Sequence, residues 1–199
     1  KTKGDLIKDL PLDKIGDKGL FVKEIEKSLL DGEIDMAVHS MKDMPSYLPE
    51  GLKFAHSPKR EDPRDALIFK EGYKSLDDLP QGARIGTGSK RRKYQLLKHR
   101  PDLEIVPIRG NIETRIKKIE TENLDGVVLA ASGLRRAGLE EKIDYYIPTD
   151  IMLPAPAQGI LALEIREDDK ETEKIIDSIK DNITKVQIDA ERGFLIGVN

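Results

Sequence analysis

His39-Ser40-Met41-Lys42-Asp43 places an imidazole, a hydroxyl, an ammonium and a carboxylate directly after an apolar stretch that reads as a buried strand. Polar groups just past a strand end are where α/β proteins collect catalytic and binding side chains. The same residues would serve equally well as a helix start, with Ser40 as the cap and Asp43 in the first turn. Residue chemistry alone leaves both readings open.

The arginines are the second concentration of chemistry. Arg84, Arg91, Arg92, Arg100, Arg109, Arg115, Arg135 and Arg136 all fall between positions 84 and 136. Several sit where a strand should meet a helix: Arg91 and Arg92 after Gly86-Thr87-Gly88-Ser89, Arg109 at a strand end, and Arg115 one turn into the next helix. Helix N-termini already favour anions, and guanidinium forks add bidentate pairing with carboxylates or phosphates. A single arginine here could equally belong to a solvated basic face. The set, spread over different strand ends, points to a ligand carrying several anionic groups.

Other patterns are weaker. Gly86-Thr87-Gly88-Ser89 is neither a Walker loop nor a dinucleotide fingerprint, and by itself says only that a tight turn enters a helix capped by Ser89. His39, His56 and His99 have no metal-ligand spacing, so no metal site is expected. Arg60-Glu61-Asp62-Pro63-Arg64-Asp65 reads as a salt-bridged hinge.

The elements that must position these groups alternate in type. Apolar spacing predicts a helix over 19–30 closed by Gly32, and strands over 34–38, 52–56 and 66–69, with a polar segment at 39–45. A second series follows: strand 84–87, helix 90–100 stopped by Pro101, strand 103–108, helix 112–122, buried strand 125–130 and helix 132–137. Strand 160–165, helix 171–179 and a last helix over 186–195 complete the chain. The alternation argues an α/β fold with mixed or mostly parallel sheets. Charge and proline mark crossings at 57–63 and 148–159, which suggests two domains between which the chain passes twice. Ligands of such proteins usually sit between the lobes.

Composition limits the function classes. In 199 residues, 34 Lys and Arg face 37 Asp and Glu, for a net charge of −3, and aromatics are only 5%. That speaks against a nucleic-acid binder, which needs a basic footprint and stacking surfaces. No apolar run approaches the roughly 20 residues needed to span a bilayer. With no cysteine, the chain has no disulfide, thiolate metal site or thiol nucleophile. A soluble, intracellular protein is expected.

Several segments, taken in order, resemble the hydroxymethylbilane synthase (porphobilinogen deaminase) family. They are 16–24 (GDKGLFVKE), 37–43 (AVHSMKD), 60–66 (REDPRDA), 86–92 (GTGSKRR), 108–111 (IRGN), 131–136 (ASGLRR) and 153–159 (LPAPAQG). The likeness runs from about Gly4 to Leu195. It implies two α/β lobes like those of periplasmic binding proteins, with mixed sheets and flanking helices, and a third α+β domain absent from this chain. Residues 1–58 and 160–177 would form domain 1, incomplete at its N-terminus. Residues 59–159 would form domain 2, and 178–199 a linker helix or the beginning of domain 3.

The resemblance also implies the chemistry. Four porphobilinogen molecules are condensed head to tail with release of ammonia, giving the linear tetrapyrrole hydroxymethylbilane of haem biosynthesis. A dipyrromethane cofactor would be attached through a cysteine expected just beyond Asn199, so the chain as it stands is expected to be inactive. Asp43 corresponds to the catalytic carboxylate, stabilising the cation left when ammonia departs. Arg91, Arg92, Arg109, Arg115 and Arg136 match positions that bind the acetate and propionate groups of cofactor and substrate. Ser40, Lys42, Thr87, Ser89 and Gly110 match supporting positions, and Lys18 and Phe21 match a loop and helix start beside the active site. Arg135 reads as surface. The resemblance further implies a cytoplasmic monomer with no nucleic-acid or membrane partner. The alternative from the residues alone is a two-lobed binding protein for a polycarboxylate or phosphate, which leaves Asp43 unexplained, since a bare carboxylate repels an anion.

Overall fold

The computed structural model describes residues 20–70 and 72–198. In chain order the elements are α1 (Leu20–Leu30), β1 (Ala37–Ser40), a 3-10 turn at Met41–Asp43, β2 (Leu52–Phe54), β3 (Asp65–Phe69), β4 (Arg84–Gly86) and α2 (Lys90–His99). There follow β5 (Glu104–Val106), α3 (Ile112–Thr121), β6 (Gly126–Ala130), α4 (Ala131–Arg136), β7 (Tyr145–Tyr146), β8 (Leu161–Arg166), α5 (Lys170–Ile176) and α6 (Asn182–Gly197). The chain divides into two compact units, Lys1–Arg60 with Ile160–Asn199, and Glu61–Gly159.

In the 61–159 unit the sheet order is β5-β4-β6-β3-β7. β4 runs parallel to β5 and β6, while β3 is antiparallel to β6 and β7. Every residue of β3 is buried, as expected of a central strand covered on both faces. Its side chains divide by the period of two: Leu67 and Phe69 join a core with Ile85, Leu96 and Val128, while Ala66 and Ile68 join another with Ile108, Val127 and Leu129. Capping fixes where α2 and α3 start: Ser89 accepts from Arg92 N, and Asn111 Oδ1 accepts from Thr114 N at 2.8 Å. Gly159 closes the unit with φ +90, where a Cβ would lie 2.4 Å from the Glu61 carbonyl oxygen. Only glycine fits so close an approach.

In the other unit β8 lies between β1 and β2, antiparallel to both. Among the described residues this sheet is wholly antiparallel, while the larger sheet is mixed, as expected. α1 packs Leu29 against Ala37 and Leu52. α6 begins at Asp181, whose side chain accepts from Thr184 N at 2.7 Å, one turn before the expected start.

Other boundaries moved as well, and one short strand was not expected. The first strand was expected over 34–38 but spans Ala37–Ser40, because the Ile34 and Glu33 amides bond the Ser28 carbonyl and finish α1, and strand pairing with β8 begins only at Ala37. The helix expected over 171–179 ends at Ile176 and tightens into a 3-10 turn at Asp177–Ile179. The short β7, which pairs with β3, has too few residues to show a period. Among the described residues, no helix is long and apolar enough to cross a membrane, and no three His, Asp or Glu side chains gather as a metal site.

Candidate functional site

His39 and Ser40 lie within β1, and Met41–Asp43 form the 3-10 turn. The turn is pinned by two methionines, Met41 at 1% and Met44 at 7% exposure, and by the Met41 amide donating to the Ile160 carbonyl at 3.0 Å. Asp43, between the anchors, is exposed and has no ion pair or side-chain hydrogen bond among the described residues. Ser40 precedes the turn but makes no side-chain cap bond, so its expected capping role is not realised. Arg192 of α6 donates to the Pro45 and Ser46 carbonyls at 2.5 and 3.2 Å and lies over the Phe54 ring, bracing the backbone just past Asp43.

Beneath α1 the same unit buries two carboxylates. Glu164 on β8 is fully buried, with Oε2 3.0 Å from His39 Nε2 and Oε1 without a hydrogen-bond partner. Glu26 of α1 is 7% exposed. Burial, joined by the charge of Glu164, pushes the Glu26 carboxyl above its usual range, against a smaller pull from His39 and Lys23.

In the 61–159 unit, Arg91 and Arg92 are brought together by Asp65. That carboxylate is fully buried at the start of β3. Its Oδ1 accepts from Arg92 Nε at 3.0 Å, Arg92 Nη2 at 2.7 Å and Gln158 Nε2 at 3.0 Å. Its Oδ2 lies 2.7 Å from Arg91 Nη2, an ion pair whose N–H is not aimed for a hydrogen bond. Burial alone would raise the Asp65 carboxyl, but Arg92, Arg91 and Gln158 outweigh it and hold it below the usual carboxylate range. Arg92 also donates to the Val128 carbonyl and is 6% exposed. Arg91 donates its other terminal nitrogen to the Leu153 carbonyl at 2.6 Å and keeps 23% of its side chain exposed.

The remaining sequence candidates are spread over both units. Thr87 is buried, its Oγ1 accepting from Ser89 N at 3.2 Å. Arg109 is half-buried beside Gly110, whose φ of +113 turns the chain so that its carbonyl accepts from Arg115 Nε at 2.7 Å. Arg136 is exposed and donates to the Gly159 carbonyl at 2.6 Å. Its neighbour Arg135 pairs with Glu61 and Glu140, an exposed role in keeping with its reading as surface. Lys42 is half-buried in the 3-10 turn. Lys18 lies outside the described residues, and Phe21 is in the first turn of α1.

Residues 1–174 match the family model described as porphobilinogen deaminase, dipyromethane cofactor binding domain. The chain belongs to the porphobilinogen deaminase family. A porphobilinogen deaminase of Clostridioides difficile (strain 630) is 71% identical over the whole chain, which covers 66% of that relative. One from Clostridium novyi (strain NT) is 64% identical, again over the whole chain and 67% of the relative. The chain thus spans about two thirds of the length of these curated relatives. In fold it is similar to a nutrient binding protein from Burkholderia cenocepacia bound to methionine, with TM-score 0.50 and 15% identity over 82% of this chain and 78% of that one. The two-unit α/β architecture with mixed sheet and flanking helices is therefore of the binding-protein type. The motif resemblance holds at the level of the family.

Sequence reasoning did not single out Asp65, Gln158, Glu26 or Glu164. Asp65 fell inside the charged 60–65 run, which read as a hinge. The available signal was the four apolar residues that follow it, Ala66 to Phe69, which mark Asp65 as a charge at the mouth of a buried strand. Glu164 carried a similar signal as the one charge inside strand 161–165.

Proposed function

We propose that the protein condenses four porphobilinogen molecules head to tail, with loss of one ammonia at each step, to give hydroxymethylbilane. The observation that carries this reading is Asp43, an exposed carboxylate held between two buried methionines with no side-chain partner among the described residues. When the C–N bond of the aminomethyl group breaks, nitrogen departs with the bonding electrons and the carbon is left cationic. A fixed carboxylate favours that charge, and such preorganised electrostatics are worth roughly 3–4 kcal/mol per well-placed group. The same carboxylate can pass a proton to the leaving nitrogen and later accept one from the newly joined pyrrole carbon.

The carboxylates of the pyrrole substituents are assigned to Arg91, Arg92, Arg109, Arg115 and Arg136, with Ser40, Lys42, Thr87, Ser89 and Gly110 in support. The donor set suits them. Arg91 keeps N–H groups without partners, Arg109 and Arg115 are half-buried and Arg136 is exposed. The same set fits dipyrromethane, which when bound supplies the primer to which substrate pyrroles are joined. No thiol of this chain attaches it, since the chain contains no cysteine. Operation as a cytoplasmic monomer belongs to the same reading.

The test is porphobilinogen consumption and intact mass of the full-length protein, alongside Asp43→Asn. The expected result is a mass excess of two linked pyrrole units, with turnover reduced by at least about a hundredfold in Asp43→Asn at unchanged melting temperature. An unmodified mass with no porphobilinogen consumption would overturn the reading in favour of a binding protein.

A further inference from the structure

Asp65 is fully buried and has no assigned part in the reaction, yet it is the carboxylate that two of the assigned arginines share. One negative charge facing two guanidinium groups leaves a surplus of one positive charge, and the hydrogen bonds decide where it sits. Arg92 spends Nε and Nη2 on Asp65 Oδ1 and Nη1 on the Val128 carbonyl. Arg91 sets one terminal nitrogen against Asp65 and the other against the Leu153 carbonyl, which leaves its Nε–H and further N–H groups without hydrogen-bond partners among the described residues. Gln158 completes the arrangement from the other end of the unit, bridging Asp65 Oδ1 and the Pro63 carbonyl at 3.0 and 2.7 Å. The Leu153 carbonyl is itself held by Gln95, which donates to it at 3.1 Å and accepts from the Leu153 amide at 2.8 Å.

We propose that Asp65 is a positioning residue for carboxylate recognition: through one shared carboxylate it locks Arg92 into the fold and holds Arg91 between itself and the Leu153 carbonyl, with Arg91's remaining donors presented to an anionic ligand. A flexible arginine must lose rotamer freedom when it binds a carboxylate, and one clamped in advance has already lost it. Asp65 therefore acts on ligand affinity through Arg91 and contributes nothing to bond making. This inference rests on the assignment of Arg91 to the carboxylates of porphobilinogen.

The experiment is a double-mutant cycle of Asp65→Asn and Arg91→Gln in the full-length protein, read by kinetics and by the arginine Nε–H signals in nitrogen-15 NMR. Asp65→Asn should raise KM for porphobilinogen about tenfold, the scale of one lost charge-assisted hydrogen bond, with kcat little changed. In the Arg91→Gln background the same substitution should change KM by less than about twofold. The Arg91 signal, slowly exchanging in the parent, should broaden in Asp65→Asn. An unchanged KM, an equal effect in both backgrounds, or an unaltered Arg91 signal would each overturn the proposal. Should Asp65→Asn fail to fold, Asp65→Glu, which keeps the charge but displaces it by one methylene, carries the same comparison. A parent protein that consumes no porphobilinogen would overturn the proposed function instead, and the Arg91 signal would still decide whether Asp65 holds that side chain.

Discussion

Asp65 in the 61–159 unit and Glu164 in the other are both fully buried carboxylates on sheet strands, but their surroundings differ in the sign of the charge around them. Asp65 faces two guanidinium groups and an amide. Glu164 has a single imidazole and a second carboxylate, Glu26, close enough to raise that neighbour's pKa. Burying an ion is costly unless opposite charge and hydrogen bonds compensate it. At Asp65 the compensation is in excess, which leaves positive charge to present to an anion. At Glu26 it is short, and burial beside Glu164 raises its carboxyl. Similar burial thus meets a surplus of positive charge in one unit and of negative charge in the other.

The sharpest way to break this comparison is to remove a partner of the compensated site. Arg92→Leu leaves Asp65 with Arg91 and Gln158 only and should destabilise the 61–159 unit by about 3–5 kcal/mol in denaturant unfolding. A loss below about 1 kcal/mol would show that Arg91 and Gln158 suffice to neutralise Asp65.

Acid should separate the units next. The Asp65 carboxyl is lower folded than unfolded, so its stabilisation is complete above the ordinary aspartate range and is lost as pH falls through the folded value. Asp62, held down by its hydrogen bond from Arg64, adds to the same loss. The Glu26 carboxyl is higher folded than unfolded, so its contribution is fully present below the ordinary glutamate range and is lost as pH rises through the folded value. Hydrogen exchange on acidification should therefore show amides of β3, β4 and β6 losing protection before those of β1 and β8. The reverse order would contradict the charge assignment.

Glu26→Gln removes the uncompensated charge and should stabilise the protein by about 1 kcal/mol at alkaline pH, the gain vanishing near about pH 4 where Glu26 is already protonated. Melting curves at both pH values would show whether the gain depends on pH. The smallest expected effects concern caps. Asn111→Ala should cost about 1 kcal/mol, because its carbonyl oxygen accepts from Thr114 N, whereas Ser40→Ala, which removes no cap bond, should stay within about 0.5 kcal/mol.

How much of this was visible beforehand depends on the range of the interaction involved. The Ser89 cap and the turn at Gly110 rest on contacts within a few residues and could be read directly from residue type. Ser40 shows the limit of that reasoning. Its type suits a cap, but β1 claims it through pairing with Leu161, far along the chain. The start of β1 moved for the same reason, since Ile34 is apolar enough for a strand but pairs with no strand among the described residues, its amide bonding the Ser28 carbonyl instead. Arg91 and Arg92 were identified as ligand-type residues from their place after a Gly-rich turn. That one is enclosed and the other partly open could not be read from two adjacent identical residues.

The motifs in the 199 residues, on their own, determined the family, the α/β class, the candidate carboxylate at Asp43 and the arginines assigned to anionic groups. The class and the arginines rest on residue type, short spacing and apolar period, and the family and Asp43 on the resemblance of short motifs, all written locally. Only the tertiary structure decided which charges meet: Asp65 with Arg91, Arg92 and Gln158, and Glu164 with His39 across 125 positions. Electrostatic energy depends on distance in space and on exclusion of water, and neither is set until strands distant in sequence have paired.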